Sequence, residues 1–183
     1  MAKKVDTPFR DLFIIEPDIF KDDRGYFFES FSEKKYLEFG INYKFVQDNI
    51  SFSTYETIRG LHYQVGEFAQ GKLCQVLSGK VLDVAVDLRF NSPTFGKSFG
   101  VELSQENKKQ LWIPPGFAHG FSVLTETAIF SYKCTNYYSK AHERCIIYND
   151  SSLNINWGIK NPIISDKDLL GINLSEIKQD FIY

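Results

Sequence analysis

The chain has 183 residues, enough for one sizeable core and too few for two. Lys and Arg number 21 against 23 Asp and Glu, and the formal charge of −2 gives no cationic footprint for nucleic acid or an anionic membrane surface. Apolar residues at 43% and charged residues at 24% exclude a disordered chain, while the 16% aromatic share favours the half-buried surfaces of β-sheet.

At the N-terminus no apolar stretch follows Lys3 and Lys4, and the run from Leu12 to Ile15 is far too short to span a bilayer. Ser32 is placed to N-cap a short helix closed by Gly40. From Leu82 to Leu88, apolar residues alternate with Asp83, Ala85 and Asp87, which predicts a strand with one buried face; Phe99, Val101 and Leu103 repeat the pattern. After a turn at Thr125-Glu126-Thr127, residues Ala128, Phe130, Tyr132 and Cys134 share one face, so Tyr132 points inward. Turn signals at Ser78-Gly79-Lys80, Asn91-Ser92-Pro93, Glu106-Asn107 and Pro114-Pro115-Gly116 fall at sandwich or barrel spacing. Ser165, followed three residues later by Asp168, is a capping pattern near the C-terminus.

The expected fold is therefore all-β, one domain over residues 1–183, with a few short peripheral helices. Cys74, Cys134 and Cys145 are odd in number and lack close pairing, so neither a disulfide framework nor a thiolate zinc site is expected and a cytoplasmic location is the simplest expectation.

Three histidines can each be weighed separately. His62 stands in Arg59-Gly60-Leu61-His62-Tyr63-Gln64, and His119 in Pro114-Pro115-Gly116-Phe117-Ala118-His119-Gly120-Phe121. The second stretch resembles the second signature of cupin jelly rolls, a β-barrel architecture that by itself implies no activity. Metal-binding cupins place a second histidine two positions after the first; here that position is Gln64, leaving only His62, Glu67 and His119 as a ligand set. A metal-free site is expected.

Around His62 the chain carries Gln47-Asp48-Asn49 and Gln70-Gly71-Lys72; elsewhere it carries Asp22-Asp23-Arg24-Gly25-Tyr26-Phe27-Phe28-Glu29, Ser92-Pro93-Thr94-Phe95-Gly96, Gln110-Leu111-Trp112-Ile113-Pro114, Tyr132-Lys133 and Asn136-Tyr137-Tyr138. Taken in order, these motifs closely resemble the dTDP-4-dehydrorhamnose 3,5-epimerase family over almost the whole chain. The family acts without a cofactor on a deoxythymidine diphosphate sugar whose 4-ketone acidifies the hydrogens on carbons 3 and 5. Inversion at each carbon needs a base on one face, an acid on the other and a cation at the enolate oxygen.

The resemblance implies His62 as base, Tyr132 as opposing acid, Lys72 as enolate stabiliser and Asp168 as the partner orienting His62. Imidazole ordinarily titrates near ~6.5 and phenol near ~10, values suited to those tasks. It further implies contacts to phosphate or sugar from Arg24, Arg59 and Lys167, stacking of the base on Tyr138, and polar contacts from Glu29, Gln47, Asn49, His119 and Glu143. The family is dimeric and exchanges N-terminal segments, so a homodimer is implied, with some of these contacts made in the partner's site. Ile50 and the Cys74-Gln75 pair depart from more basic residues common in the family. Each residue has a plainer alternative: a core imidazole, a packed tyrosine, a solvated lysine, or an aspartate in the first turn of a helix. The enzymatic alternatives are a single-centre epimerase or a 3,4-ketoisomerase, and the alternative of another class is a non-catalytic cupin binding a sugar or a metal.

Overall fold

The period-two alternation of apolar side chains becomes antiparallel strand wherever it was read from the sequence. A computed structural model describes residues 2–183. The elements in chain order are β1 (Lys3–Asp6), β2 (Phe13–Glu16), β3 (Phe20–Asp22), β4 (Gly25–Phe27), α1 (Glu33–Glu38), β5 (Gln47–Thr54), β6 (Ile58–Gln64), β7 (Lys72–Ser78), β8 (Lys80–Asp87), β9 (Ser98–Ser104), β10 (Gln110–Ile113), β11 (Phe117–Val123), β12 (Thr127–Cys134), β13 (Glu143–Cys145) and α2 (Asp166–Leu169).

Two antiparallel sheets face each other, one ordered β1-β2-β10-β7-β12-β5 and the other β13-β6-β11-β8-β9, with β3 and β4 forming a separate hairpin. This is the cupin-type jelly roll, and its helices are short and peripheral. No helix among the described residues is long and apolar enough to cross a membrane. The central core lies between the sheets, where Cys74, Val76, Leu111 and Phe130 of one meet Val81, Ala85, Leu103, Phe117 and Phe121 of the other. A second cluster covers the outer face of the five-stranded sheet, where Ile58, Leu61, Val84 and Val86 pack under Leu153, Trp157 and the C-terminal segment. A third covers the six-stranded sheet, where Phe13, Leu73 and Trp112 pack under Tyr36 of α1. Ser32 occupies the N-cap position of α1 without a side-chain cap hydrogen bond.

Strand β8 corrects the expectation of one buried face. Val84 and Val86 pack into the outer layer, whereas Asp83, Ala85 and Asp87 point into the barrel, and both aspartates are fully buried. The alternation was real, but the supposed solvent face is the inner one, because a covering layer makes both faces apolar environments. Asp87 is tolerable there because it accepts from Arg89 Nε at 2.8 Å, Ser92 Oγ at 2.7 Å and Thr94 Oγ1 at 2.6 Å. Burial alone would raise its carboxyl pKa, but these bonds outweigh burial and hold it below the ordinary range.

Asp87→Ala is expected to destabilise the fold by about 3 kcal/mol in urea denaturation, because buried Arg89 loses its close carboxylate and keeps only the exposed Asp11 at 3.6 Å. A depressed folded-state pKa means that the unfolded chain binds the proton first. The stabilisation is thus complete well above the unfolded carboxyl pKa of about 3.9 and disappears as acidification carries the pH down through the folded value. The variant and the parent should converge in stability there.

Candidate active site

Gly60 sets the approach of β6 to β11. Its φ is +123°, and a Cβ at this position would lie 2.5 Å from the Gly120 Cα and 2.6 Å from the His119 carbonyl oxygen, so only glycine fits. The close contact aligns His62 directly opposite His119 in the strand register. His62 Nε2 lies 2.7 Å from Asp168 Oδ1, with the imidazole partly open and the carboxylate nearly buried. Asp168 Oδ2 accepts the Gly60 N–H at 3.1 Å, and the Asp168 N–H is capped by Ser165 Oγ at 3.2 Å. Both sequence alternatives for Asp168 therefore hold: its backbone belongs to the first turn of α2 while its side chain holds His62. Burial would raise the Asp168 carboxyl, but the bonds from His62, Gly60 and Ser165 prevail and lower its pKa.

Tyr132 enters from the opposing sheet, packed against Phe130 and the His119 ring. Burial, reinforced by Cys134 and Cys74, pushes its phenol up to about 12, so it keeps its proton at neutral pH. Lys72, at the start of β7, is nearly buried; its Nζ donates to the His62 carbonyl at 3.4 Å and sits 5.9 Å from the centre of the Tyr132 ring. His119 is buried and bonded to Asp83 Oδ1 at 2.7 Å, and burial lowers its pKa, favouring the neutral ring. These groups line a cavity of about 530 Å³ that also takes in Arg59, Gln64, Gln70 and Ser165, a volume typical of small-molecule sites. Arg59 is held by Ser53 Oγ at 2.9 Å and by the Phe52 carbonyl at 3.2 Å.

A histidine–aspartate pair and a protonated tyrosine thus reach one cavity from two different sheets, beside the cations Arg59, Lys72 and Lys167. The family model for dTDP-4-dehydrorhamnose 3,5-epimerase matches residues 6–176. The chain belongs to that family. It is 55% identical over 168 residues to the dTDP-4-dehydrorhamnose 3,5-epimerase of Shigella flexneri, covering 91% of this chain and 93% of that one. The crystal structure of the Elizabethkingia anophelis enzyme of the same name is 54% identical, with a TM-score of 0.91 over 96% of this chain and 97% of that one. A Legionella pneumophila 3,5-epimerase, solved in complex with dTDP-4-keto-L-rhamnose, is 49% identical, with a TM-score of 0.96 over 100% of this chain and 99% of that one.

Most of the polar residues assigned by resemblance to this epimerase family do line the cavity. Tyr138 O–H donates to Glu143 Oε2 at 3.0 Å, and Lys167 Nζ reaches the same carboxylate at 2.6 Å. Burial would raise the Glu143 carboxyl, but Lys167 and Tyr138 outweigh it and lower its pKa. Gln47 donates to Asn49 at 2.9 Å, and Asn49 in turn to Cys134 Sγ at 3.5 Å. Tyr138 is half exposed where it lines the cavity.

Arg24 and Glu29 are the two that the fold does not bring in. Arg24 projects into solvent from the β3–β4 hairpin and pairs with Asp22 at 2.6 Å, while Glu29 pairs with Lys35 at 2.9 Å. The metal set drawn from the sequence does not assemble either, since Glu67 is grouped with neither histidine. Among the described residues His62 instead groups with Asp168 and Cys145, and His119 with Asp83 and Cys74. Asp83 and Cys74 escaped the sequence reading because an aspartate alternating with valines looks like a solvent face and a single cysteine in a strand looks like packing. Only the inward direction of Asp83 on β8 and of Cys74 on β7 brings them beside His119.

Proposed function

We propose that this chain is a cofactor-independent dTDP-4-dehydrorhamnose 3,5-epimerase that converts dTDP-4-dehydro-6-deoxy-D-glucose to dTDP-4-dehydro-L-rhamnose. The observation that carries this reading is the His62–Asp168 pair facing protonated Tyr132 across one cavity. Asp168 engages His62 Nε2 and fixes its proton there, leaving Nδ1 as the basic nitrogen. The base takes the hydrogen from carbon 3 or carbon 5, and the electron pair moves onto the ketone oxygen, where the Lys72 ammonium stabilises the enolate. Tyr132 returns a different proton from the opposite face, the ketone reforms, and proton exchange with solvent resets both groups. A second round inverts the other carbon. Arg59 and Lys167 supply charge for the diphosphate, and Tyr138 a surface for thymine.

Incubation with the 4-keto sugar nucleotide in deuterated water, followed by NMR, tests the reading. Deuterium at both carbons is expected; label at one alone reduces the enzyme to a single-centre epimerase, and no label overturns the activity. Chelator-treated protein is expected to turn over at the full rate, which a metal-dependent cupin does not do.

The chain works as a cytoplasmic, single-domain subunit of a homodimer in which Arg24 and Glu29 serve the partner's cavity. The β3–β4 hairpin supports this, since Phe20 and Phe27 are 63% and 69% exposed beside Arg24. Arg24→Ala is expected to raise KM about tenfold with kcat nearly unchanged, the pattern of lost uniform binding. Mixing Arg24→Ala subunits with His62→Ala subunits should regenerate one intact cavity per mixed dimer and restore substrate affinity there. Parental KM absent from the mixture would place Arg24 in its own subunit's site.

A further inference from the structure

Behind His119 in the cavity wall lies a cluster that the epimerase chemistry does not use in full. Cys74 Sγ lies 3.7 Å from His119 Nε2, which lies 2.7 Å from Asp83 Oδ1, and one ligand atom from each of the three falls within 4.8 Å of the others. Asp83 is fully buried, and its second oxygen, Oδ2, has no hydrogen-bond partner. A buried carboxylate oxygen without a donor is disfavoured, and a bound cation satisfies it directly.

We propose that Cys74, Asp83 and His119 form a binding site for a borderline-soft divalent ion of the zinc class, and that its occupancy reversibly blocks turnover. Thiolate, imidazole and carboxylate are the donor set such an ion selects. In a tetrahedral zinc site, bonds of about 2.3 Å to sulfur and about 2.0 Å to nitrogen put those two atoms roughly 3.5 Å apart, against 3.7 Å here; Asp83 Oδ1, at 2.7 Å from the same nitrogen, is too close to share the ion with it, so the carboxylate binds through the unpartnered Oδ2. On binding, the Cys74 thiol gives its proton to solvent, and the neutral imidazole carries its own on Nδ1. The thiolate and carboxylate then cancel the charge of the ion. His119 lines the cavity, whereas Cys74 and Asp83 lie fully buried behind it, so the ion enters from the cavity past the imidazole.

The companion group around His62 is a weaker host because both oxygens of its carboxylate are already engaged. Asp168 uses one oxygen on His62 and the other on the Gly60 N–H, and Cys145 Sγ donates to the Ile146 carbonyl at 3.5 Å. Neither carboxylate oxygen there is left without a partner, so an ion would have to displace the His62 or the Gly60 bond.

The test uses chelator-treated protein titrated with zinc chloride against a colorimetric chelator, comparing the parent chain with Cys74→Val and Cys145→Ala. The parent and Cys145→Ala are expected to bind one zinc per chain, and Cys74→Val to bind it weaker by more than the roughly 10–100-fold that loss of an outer-shell partner costs. Cobalt chloride added to the parent should give a thiolate-to-cobalt charge-transfer band, a readout independent of whether any variant folds. No stoichiometric uptake, no such band, or loss of binding in Cys145→Ala in place of Cys74→Val overturns the site. Zinc should slow the parent and leave Cys74→Val unaffected; a parent that binds zinc yet turns over normally overturns the blocking role. This last arm rests on the proposed epimerase activity, whereas the binding arms stand if that activity fails.

Discussion

His62→Ala is expected to lower turnover by about 10²–10⁴-fold, the usual range for removing a general base, and to abolish deuterium entry at both carbons of the substrate. The fold should survive, because the imidazole is partly open and its side-chain bond goes to Asp168. Circular dichroism and thermal melting provide that control. Removing His62 leaves Asp168 nearly buried with its Gly60 and Ser165 bonds but without its main counter-group, so its carboxyl pKa should rise and the melting temperature should show a modest loss. Turnover by a folded His62→Ala variant at the parental rate would remove the base assignment. Asp168→Asn is a separate probe: it keeps the shape but alters the preferred imidazole tautomer, and its loss should appear in kcat more than in KM.

Tyr132→Phe separates the two halves of the reaction. His62 still takes a proton, so deuterium from solvent should enter the recovered substrate, while product forms at least about 10²-fold more slowly for want of an acid on the far face. Phenylalanine matches the packing against Phe130 and His119, so the loss cannot be ascribed to a cavity. With its phenol pushed up to about 12, Tyr132 imposes no titration on the rate between pH 6 and 9. Product formation at the parental rate would show that another group delivers the proton, and the neutral His119 ring would then be the first to examine.

The strands were legible where they run seven or eight residues and alternate, as at β8, β9 and β12. The three- and four-residue strands β1 to β4, β10 and β13 are too short for a period to emerge, and only the sheet pairing defines them. The face of β8 was misjudged because valine outside and aspartate inside invert the usual rule when a covering layer is present and each acid has an internal partner. In the site, the resemblance named His62, Tyr132, Lys72 and Asp168, and the fold brings all four to one cavity. Local sequence could not show that Asp168, more than a hundred residues from His62, serves both as a helix-turn residue and as a histidine partner. It also could not place Arg24, whose hairpin makes no contact with the cavity of its own chain.

The piece of chain that carries Asp168 is a single helical turn in a segment draped over the outer face of the five-stranded sheet. It is moored by isolated parallel bridges at Thr57–Ile163 and Ile146–Ile172, and Leu169 and Leu170 lie open to water. Such a segment opens locally at far lower free energy than the sheets beneath it. Catalysis therefore has its own melting point: on heating, activity should fade before the barrel unfolds, as the strap lifts and takes the carboxylate away from an otherwise intact imidazole. Amide exchange near residues 163–172 should accelerate over the same interval while β8 and β11 remain protected.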